Sequence, residues 1–551
     1  MTANLLLLSD FNVSAISRYI LKEKLDGELS VSEIPYGQVF GALNESYGNS
    51  NSDFSFVWCR PEAISAHFNA ALKGHKIDQK ACIDEIRNFY EVVRDFSKSF
   101  KSCFVASMTL SEDIIDYGLL DWKPGIGLKH LINLLNIELA EIFSNTHNVF
   151  MLDASRWIRD SRSESIPKMW YAAKAPFHNN VYECAAKNLI SSINAINGSG
   201  KKILFLDLDN TLWGDVVGEN GWKGIRLGGH DHIGEAFVDF QNKLKALTLR
   251  GIQLAIVSKN EESVALAAID NHPDMVLQRS DFVSWRINWS DKAQNISEIL
   301  SEVNLGDYSA VFIDDNPVER DRVRSALPNV VVPEWPEDPC KYVRFLVNLG
   351  VFNFPSLSKE DRDRTQSYAA NRERISLKEN SMENWLEQLG TVIIVSDLNE
   401  TNVNRAAQLF NKTNQLNLST RRMTGEELLK WSQSTDRKSV VCSVSDKFGD
   451  LGLTGIFSIE FRDSEAFLVD FVLSCRVMGR EVEEAMLFLV CEQAAQKCVK
   501  FLRVCYKKTD RNLPTLKMLK NSSLVKSGPH DFVWDCSSNY AQPLSVAIEH
   551  K

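Results

Sequence analysis

The chain has 551 residues, is 44% hydrophobic and 24% charged, and carries a formal net charge of −10. This length suits three or four domains of roughly 150 residues each, and the acidic balance excludes a broad nucleic-acid surface, which needs a basic face. No run approaches the ~18 apolar residues of a membrane span. The eleven cysteines form no CxxC pair, so they read as reduced, mostly buried thiols of a cytoplasmic protein rather than a disulfide framework or zinc site.

The N-terminus reads MTANLLLLSD. Its four leucines follow no basic residue and are too few for a signal peptide, so they predict a buried strand. Over residues 1–196, predicted strands at 5–8, 54–58, 103–108 and 149–152 alternate with predicted helices at 16–25, 81–100, 128–143 and 181–196. Such alternation argues for a parallel α/β sheet. The stretch 197–202 (NGSGKK) is a short junction. A second α/β unit follows, with strands at 203–206, 254–257, 310–313 and 330–332 and helices at 235–249, 261–270, 292–302, 317–327 and 342–349. From about 357 the pattern changes. A charged helical stretch at 359–380 leads to a strand at 392–395 and helices at 403–410 and 425–432. Three strands without intervening helices come next (439–444, 453–460, 466–473), then a helix at 482–497 and a strand at 501–506. The expected division is 1–198, 199–356 and 357–551, all α/β in class.

The chemistry concentrates at predicted strand ends. Phe205-Leu206-Asp207-Leu208-Asp209-Asn210-Thr211 places two carboxylates just past a buried strand, where ligands bind in parallel sheets. Asp207 can attack phosphorus to give an aspartyl phosphate. Asp209 can protonate the leaving oxygen and later activate water. Ser258, followed by Lys259 and Asn260, ends the second strand, and these residues with Thr211 offer donors to phosphoryl oxygens. Lys292 opens a helix and can neutralise charge on nucleophile and phosphate. Asp314 and Asp315 end a third strand and, with Asp207 and Asp209, supply hard oxygen ligands for Mg²⁺. Alone, the Asp-x-Asp-x-Thr run could be a turn and a helix cap; the ordered set of four elements points to phosphoryl transfer. Only about forty residues separate Thr211 from the second strand, which leaves no room for a large cap domain.

This set resembles the haloacid dehalogenase (HAD) superfamily. A longer set of segments resembles one branch of it, the FkbH-like proteins of subclass IIIC: LDLDNTLWG (206–214), VGENG (217–221), Ser258-Lys259-Asn260, Asn288-Trp289 with Asp291-Lys292, and IDDNPVER (313–320). Further on come KTNQLNL (412–418), DKFGD (446–450) and LSCRVMGR (473–480). The resemblance implies an SGNH-hydrolase-like N-terminal region, a HAD Rossmann-like parallel sheet and an acetyltransferase (GNAT)-like C-terminal region. It also implies a bifunctional glyceryl transferase/phosphatase. Such an enzyme takes a glyceryl unit from 1,3-bisphosphoglycerate, removes the phosphate and loads the unit as a thioester on the phosphopantetheine arm of an acyl carrier protein. No nucleic-acid or membrane partner is expected.

On this reading the stretch Arg476-Val477-Met478-Gly479-Arg480-Glu481 takes the place of the loop whose N–H groups hold a pantetheine phosphate, with Glu481 standing where a second glycine is usual. A carboxylate there competes for the same N–H groups, which disfavours a free coenzyme over a carrier-tethered arm. Cys475, directly before this stretch, is the candidate acyl-accepting thiol, with Arg476 and a helix N-terminus beside it to favour the thiolate. The other reading of Cys475 is a small hydrophobe packed at a strand end. Asn414 and Arg421, with Lys412, Gln415 and Arg422, supply donors for a phosphorylated acyl group or simply a solvated helix end. In the N-terminal region Ser9, Asp153 and His178 lack the spacing of a hydrolase triad. That region is expected to cover the phosphatase site or to dock the carrier. The alternative for the whole chain is an Mg²⁺-dependent HAD phosphatase of a small phosphorylated metabolite with accessory domains.

Overall fold

The computed structural model describes residues 3–23, 28–44, 52–111, 113–161, 167–229, 231–355, 386–387, 389–447, 449–509 and 511–551. The chain divides into two compact units, Met1–Ile196 and Asn197–Lys551. The predicted charged helix at 359–380, and the expected boundary near 356, fall outside the described residues. Among the described residues no helix is long and apolar enough to cross a membrane.

In the first unit, β1 (Ala3–Ser9), β2 (Leu29–Glu33), β3 (Phe54–Trp58), β4 (Ser102–Ala106) and β5 (Val149–Leu152) form a parallel sheet of order β2-β1-β3-β4-β5. Side chains alternate across it. Leu6 and Leu8 join one core layer, and Leu5 and Leu7 the other, as expected of a strand buried on both faces. The sequence pattern did not reveal β2, whose residues are half-exposed at the sheet edge.

The second unit contains two sheets. The first is a four-stranded parallel sheet of order β8-β7-β6-β9, from β6 (Ile203–Leu206), β7 (Gln253–Ser258), β8 (Phe282–Ile287) and β9 (Ala310–Ile313). Again the faces alternate: Leu204 and Leu206 enter one layer, Ile203 and Phe205 the other. β8 escaped the periodicity because it is an edge strand carrying Ser284 and Arg286 on a side that meets Glu302 and Glu298; charges on an edge strand also discourage unwanted pairing. The predicted strand at 330–332 reduces to a single parallel bridge, Val311 with Val331. Pro333 follows at once and has no N–H to extend a ladder.

The other sheet is mixed. It runs β16-β17-β15-β14-β13-β12-β10-β18, from β10 (Thr391–Asp397), β12 (Arg437–Asp446), β13 (Gly449–Arg462), β14 (Glu465–Leu473), β15 (Phe501–Cys505), β16 (Val525–Lys526), β17 (Asp531–Asp535) and β18 (Val546–His550). The short β11 (Leu416–Asn417) pairs with β14. The helix Val482–Gln496 contributes to one core layer of this sheet and the helices Val403–Lys412 and Gly425–Ser432 to another. The expected order of strand, two helices, three strands, helix and strand is therefore present, with four further short strands that the sequence pattern did not indicate. β14 pairs with β15 in parallel only through Glu465–Leu468. Beyond that, Val472 and Leu473 pair with β11 instead.

Candidate active site

The carboxyl end of β6 runs directly into Asp207, and Asn210 turns the chain with a left-handed φ of 53°, a conformation that asparagine tolerates. Tyr342 Oη donates to the Asn210 carbonyl at 2.9 Å, and Asp215 N–H donates to Asn210 Oδ1 at 3.1 Å. Asp207, Asp314 and Asp315 bring ligand oxygens within 4.8 Å of one another. Lys292, whose helix is capped by Asp291, reaches between them: Nζ lies 2.6 Å from Asp314 Oδ2 and 3.1 Å from Asp207 Oδ1. The four side chains come from two strand ends, those of β6 and β9, and one helix start, as the sequence motifs require.

The electrostatics follow from burial. Burial pushes Asp314 up to about 7, reinforced by the Asp207 charge and opposed by Lys292. Asp315 is pushed up to about 6, again by burial first and Asp207 second. Burial alone would lower the Lys292 ammonium, but Asp207 and Asp314 outweigh it and raise it. Three crowded carboxylates facing one ammonium form a site short of positive charge. Asp207 Oδ1 meets the Lys292 ammonium at 3.1 Å, and the buried Thr211 Oγ1 has no hydrogen-bond partner. This all-oxygen donor set fits a hard dication such as Mg²⁺, with Asp207, Asp314 and Asp315 as the side chains that would hold it.

Asp209 differs from the expectation that made it a metal ligand. Its carboxylate is outside that cluster. Oδ1 accepts from Trp213 Nε1 at 2.9 Å and Val217 N–H at 3.1 Å, and Oδ2 accepts from Asn260 Nδ2 at 3.0 Å. These three donors fix its orientation. Ser258 is buried and accepts from Asn260 Nδ2 at 3.2 Å. Asn260 therefore links Ser258 to Asp209. Lys259, expected to offer a phosphate donor, pairs with Glu319 at 2.6 Å in a half-exposed ion pair. A residue whose role the motif did not disclose is Arg320. Its guanidinium donates to the Asp314 and Asp315 carbonyls at 2.9 and 2.7 Å and so braces the loop that carries both carboxylates. Between Thr211 and β7 the described residues hold one short helix, Val217–Asn220, and the helix His232–Thr248, so no cap domain is inserted there.

At the opposite edge of the same sheet lies a second, small cleft of about 50 Å³ that opens to solvent. Lys202, Gln253 and Ser309, at the amino ends of β6, β7 and β9, form one wall with Tyr308; Arg405, Lys412, Asn414, Cys475 and Arg476 form the other. Cys475 packs against the core layer containing Ile203 and Phe205. The walls are tied together: Lys202 Nζ donates to the Lys412 carbonyl at 3.0 Å, and Asn414 Nδ2 to the Gly198 carbonyl at 2.9 Å. Gln415 bridges the Asn304 carbonyl and Gly306 N–H at 2.9 and 3.1 Å. Arg422 is half-buried and held by neutral acceptors, the Phe410 and Thr413 carbonyls and Asn414 Oδ1. Burial first, and Arg511 second, lower it to about 10. Arg511 stacks on Tyr308, 4.6 Å from the ring centre. Tyr308 and Gln253 were not singled out in the sequence because they come from strand and turn positions far from the Cys475 motif. Lys202 and Asp207 bracket β6, which separates the two sites by roughly 16 Å at ~3.3 Å per residue.

Several residues expected to bind the pantetheine arm have other roles. Arg421 forms a two-pronged pair with the buried Asp470. Arg480 is buried against Asp446, 3.0 Å away. Gly479 has a left-handed φ of 73°, and its N–H, the donor a phosphate would use, is taken by Glu483 Oε1 at 2.9 Å. Burial pushes Glu483 up to about 7. Thus Glu483, rather than Glu481, holds that N–H; Glu481 accepts from Ser545. β11 also occupies the side of β14 that β15 leaves free. Asn414 and Arg476, by contrast, do line the cleft with Cys475.

In the first unit, the residues considered for a triad are committed locally. Ser9 Oγ donates to the Trp58 carbonyl at 2.6 Å. His178 Nδ1 accepts from Asn180 N–H, and Asp153 Oδ1 from Arg156 N–H, each at 3.2 Å. Trp170 stacks on Arg60 at 3.9 Å beside a separate cleft of that unit.

No protein-family model and no curated protein sequence matches this chain. Among solved structures, the N-terminal part of the Bacteroides fragilis protein BF1531, which contains a phosphatase domain and was crystallised with Mg, aligns at 29% identity and a TM-score of 0.58, covering 65% of this chain and 95% of that one. The ribosomal-protein-S18-alanine N-acetyltransferase of Escherichia coli aligns at 10% identity and a TM-score of 0.21, over 28% of this chain and 97% of that one. Spermidine N-acetyltransferase from Vibrio cholerae gives 11% and 0.21 over 26% and 96%. The four-stranded part of the second unit has a HAD-like phosphatase fold, and the fold class of the chain is multi-domain α/β.

Proposed function

We propose that the chain is a bifunctional phosphatase and acyltransferase of the FkbH-like kind, organised as an SGNH-like region without a working triad, a HAD-like phosphatase region and a GNAT-like region. It takes a glyceryl unit from 1,3-bisphosphoglycerate, dephosphorylates it and loads it on the phosphopantetheine thiol of an acyl carrier protein. The observation that carries this reading is the pairing, within one compact unit, of the Asp207–Lys292–Asp314–Asp315 cluster with a basic cleft around Cys475.

At the cleft, the Cys475 thiolate attacks the acyl carbon of the acyl phosphate. The C–S bond forms, the C–O bond to phosphate breaks, and inorganic phosphate leaves. The thiol of the arm then takes the acyl group and returns the free cysteine. Asn414 and Arg476 orient the anionic substrate. At the other edge, Asp207 Oδ attacks the remaining phosphate ester. An O–P bond to Asp207 forms as the ester O–P bond breaks, and Asp209 protonates the departing oxygen. Asp209 then accepts a proton from the water that hydrolyses the aspartyl phosphate. Ser258 and Thr211 hold phosphoryl oxygens, while Lys292 neutralises charge on Asp207. Mg²⁺ bound by Asp207, Asp314 and Asp315 supplies charge neutralisation that lets an anionic nucleophile approach an anionic ester. The separation of the two sites requires a carrier between them, a role that suits a tethered arm.

The test uses the full chain with Mg²⁺, 1,3-bisphosphoglycerate generated in place and a phosphopantetheinylated carrier. Intact-mass analysis is expected to find the glyceryl adduct on the carrier. Asp207→Asn should stop phosphate removal, and Cys475→Ala should stop acyl transfer. Phosphate release with neither enzyme nor carrier acylated would overturn this reading in favour of a phosphatase of a small metabolite with accessory domains.

A further inference from the structure

We infer that the first unit carries a self-association surface: the segment from Ile115 to Ile126, between β4 and the helix Leu128–Phe143, is the contact of a twofold dimer whose other half is a second copy of this chain. Within this segment Ile115 is 91% exposed, Leu119 100%, Leu120 40%, Trp122 66% and Ile126 41%. Single apolar side chains scattered over a surface are ordinary. Five large ones in one short segment mark an interaction site. Together they leave on the order of 700 Å² open to water, above the ~300–600 Å² of the largest apolar patch on a typical monomer and close to the ~800 Å² that each partner contributes to a standard interface.

The segment is built to hold its shape. It turns on Asp121, whose side chain is fully buried. Asp121 Oδ1 accepts from Leu128 N–H at 3.1 Å and from Tyr117 N–H at 3.4 Å, and the Lys129 ammonium lies 3.3 Å from Oδ2. The Asp121 carbonyl accepts from His130 N–H at 3.0 Å, and Gly127 N–H donates to the Lys123 carbonyl at 2.9 Å. Position 127 admits only glycine, because a Cβ there would stand 1.9 Å from the Asp121 carbonyl oxygen. A surface fixed in this way loses little further conformational entropy when a partner covers it.

Charge selects the occupant. Exposed Asp116 stands near the start of the apolar segment and exposed Lys123 near its end. Across a twofold axis the two segments run antiparallel, so Asp116 of one protomer faces Lys123 of the other while the apolar side chains meet between them. A partner with one sign of charge around its apolar face would meet a like charge at one end.

The test is sedimentation equilibrium of the full chain from ~1 to ~100 µM, a range that covers the weakest interfaces of this size; a dimer is expected. Leu119→Asp should weaken dimerisation about 30-fold or more, as loss of a central anchor does. Asp116→Lys and Lys123→Glu should each weaken it about tenfold. Mixed in equal amounts, these two variants should dimerise again, because each substituted position then faces its opposite charge. Circular dichroism spectra and hydrolysis of p-nitrophenyl phosphate, both expected to be unchanged, show that the variants compared are folded. A wild type that stays monomeric over the whole range overturns the inference. So does a dimer that survives Leu119→Asp, or a mixture of the charge variants that associates no better than either alone.

Discussion

Replacing Lys292 with methionine tests the electrostatic account of the phosphatase site. The substitution keeps much of the side-chain length and removes the ammonium that lies 2.6 Å from Asp314 and 3.1 Å from Asp207. The lysine side chain is only 4% exposed and that of Asp314 is fully buried, so little solvent screening softens the loss. Removing one partner of a buried pair costs ~3–5 kcal/mol, and losing a preorganised stabiliser of transition-state charge lowers kcat by ~10²–10³. The stability loss has a definite pH dependence. Asp314 and Asp315 already have raised values of about 7 and about 6, so the folded state holds more protons than the unfolded state between about pH 4 and 7. Folding stability from these groups is fully present at low pH and declines as pH rises through that window. Without Lys292 the decline steepens. The assay is thermal unfolding of wild type and Lys292→Met without metal at pH 5 and 7.5, together with hydrolysis of p-nitrophenyl phosphate with Mg²⁺. The expected result is a deficit of ~6 °C or more at pH 7.5, a smaller one at pH 5, and partial recovery with Mg²⁺. A pH-independent deficit, or a kcat within twofold of wild type, would refute the reasoning.

Three further predictions follow from the same distances. Mg²⁺ affinity measured by calorimetry should fall as pH drops from 7.5 to 6, by up to about tenfold per unit for each proton displaced, because Asp314 and Asp315 take up protons in that range; a flat profile would count against both as ligands. Trp213→Phe removes the donor 2.9 Å from Asp209 Oδ1 and should lower phosphatase kcat about tenfold, while leaving Mg²⁺ affinity unchanged, since a part-buried carboxylate loses a hydrogen bond of about 1 kcal/mol. Arg480→Met should lower stability by ~3–5 kcal/mol, as it removes the guanidinium 3.0 Å from the buried Asp446 carboxylate, without altering the KM for a pantetheine acceptor; a raised KM at unchanged stability would return Arg480 to a binding role.

Much of the phosphatase site was legible because its elements are local. β6, β7 and β9 are short apolar runs that end in Asp207, Ser258 and Asp314, and Lys292 follows an aspartate cap. A run of buried residues closing on a polar one announces both the strand and its functional end. The mixed sheet was legible in order but not in extent. β11, β16, β17 and β18 are two to five residues long, too short for periodicity to register, and they exist because neighbouring strands offer unpaired backbone groups.

The sequence by itself determined which strand ends carry carboxylates, the lysine that joins them and the thiol that follows β14. Only the tertiary structure decided which charged side chains remain open to a ligand. Arg421 and Arg480 looked like donors until Asp470 and Asp446, 49 and 34 residues away in the chain, were seen to pair with them. Likewise Lys259 meets Glu319, and Asp209 meets Trp213, Val217 and Asn260. The same folding brings Gln253 of β7 and Tyr308 of the turn before β9 against Cys475, just after β14. The physical reason is common to all of these cases. A motif fixes residue type and local direction, but a buried charge or polar atom takes its partner from whatever the packing of distant segments places within about 3 Å.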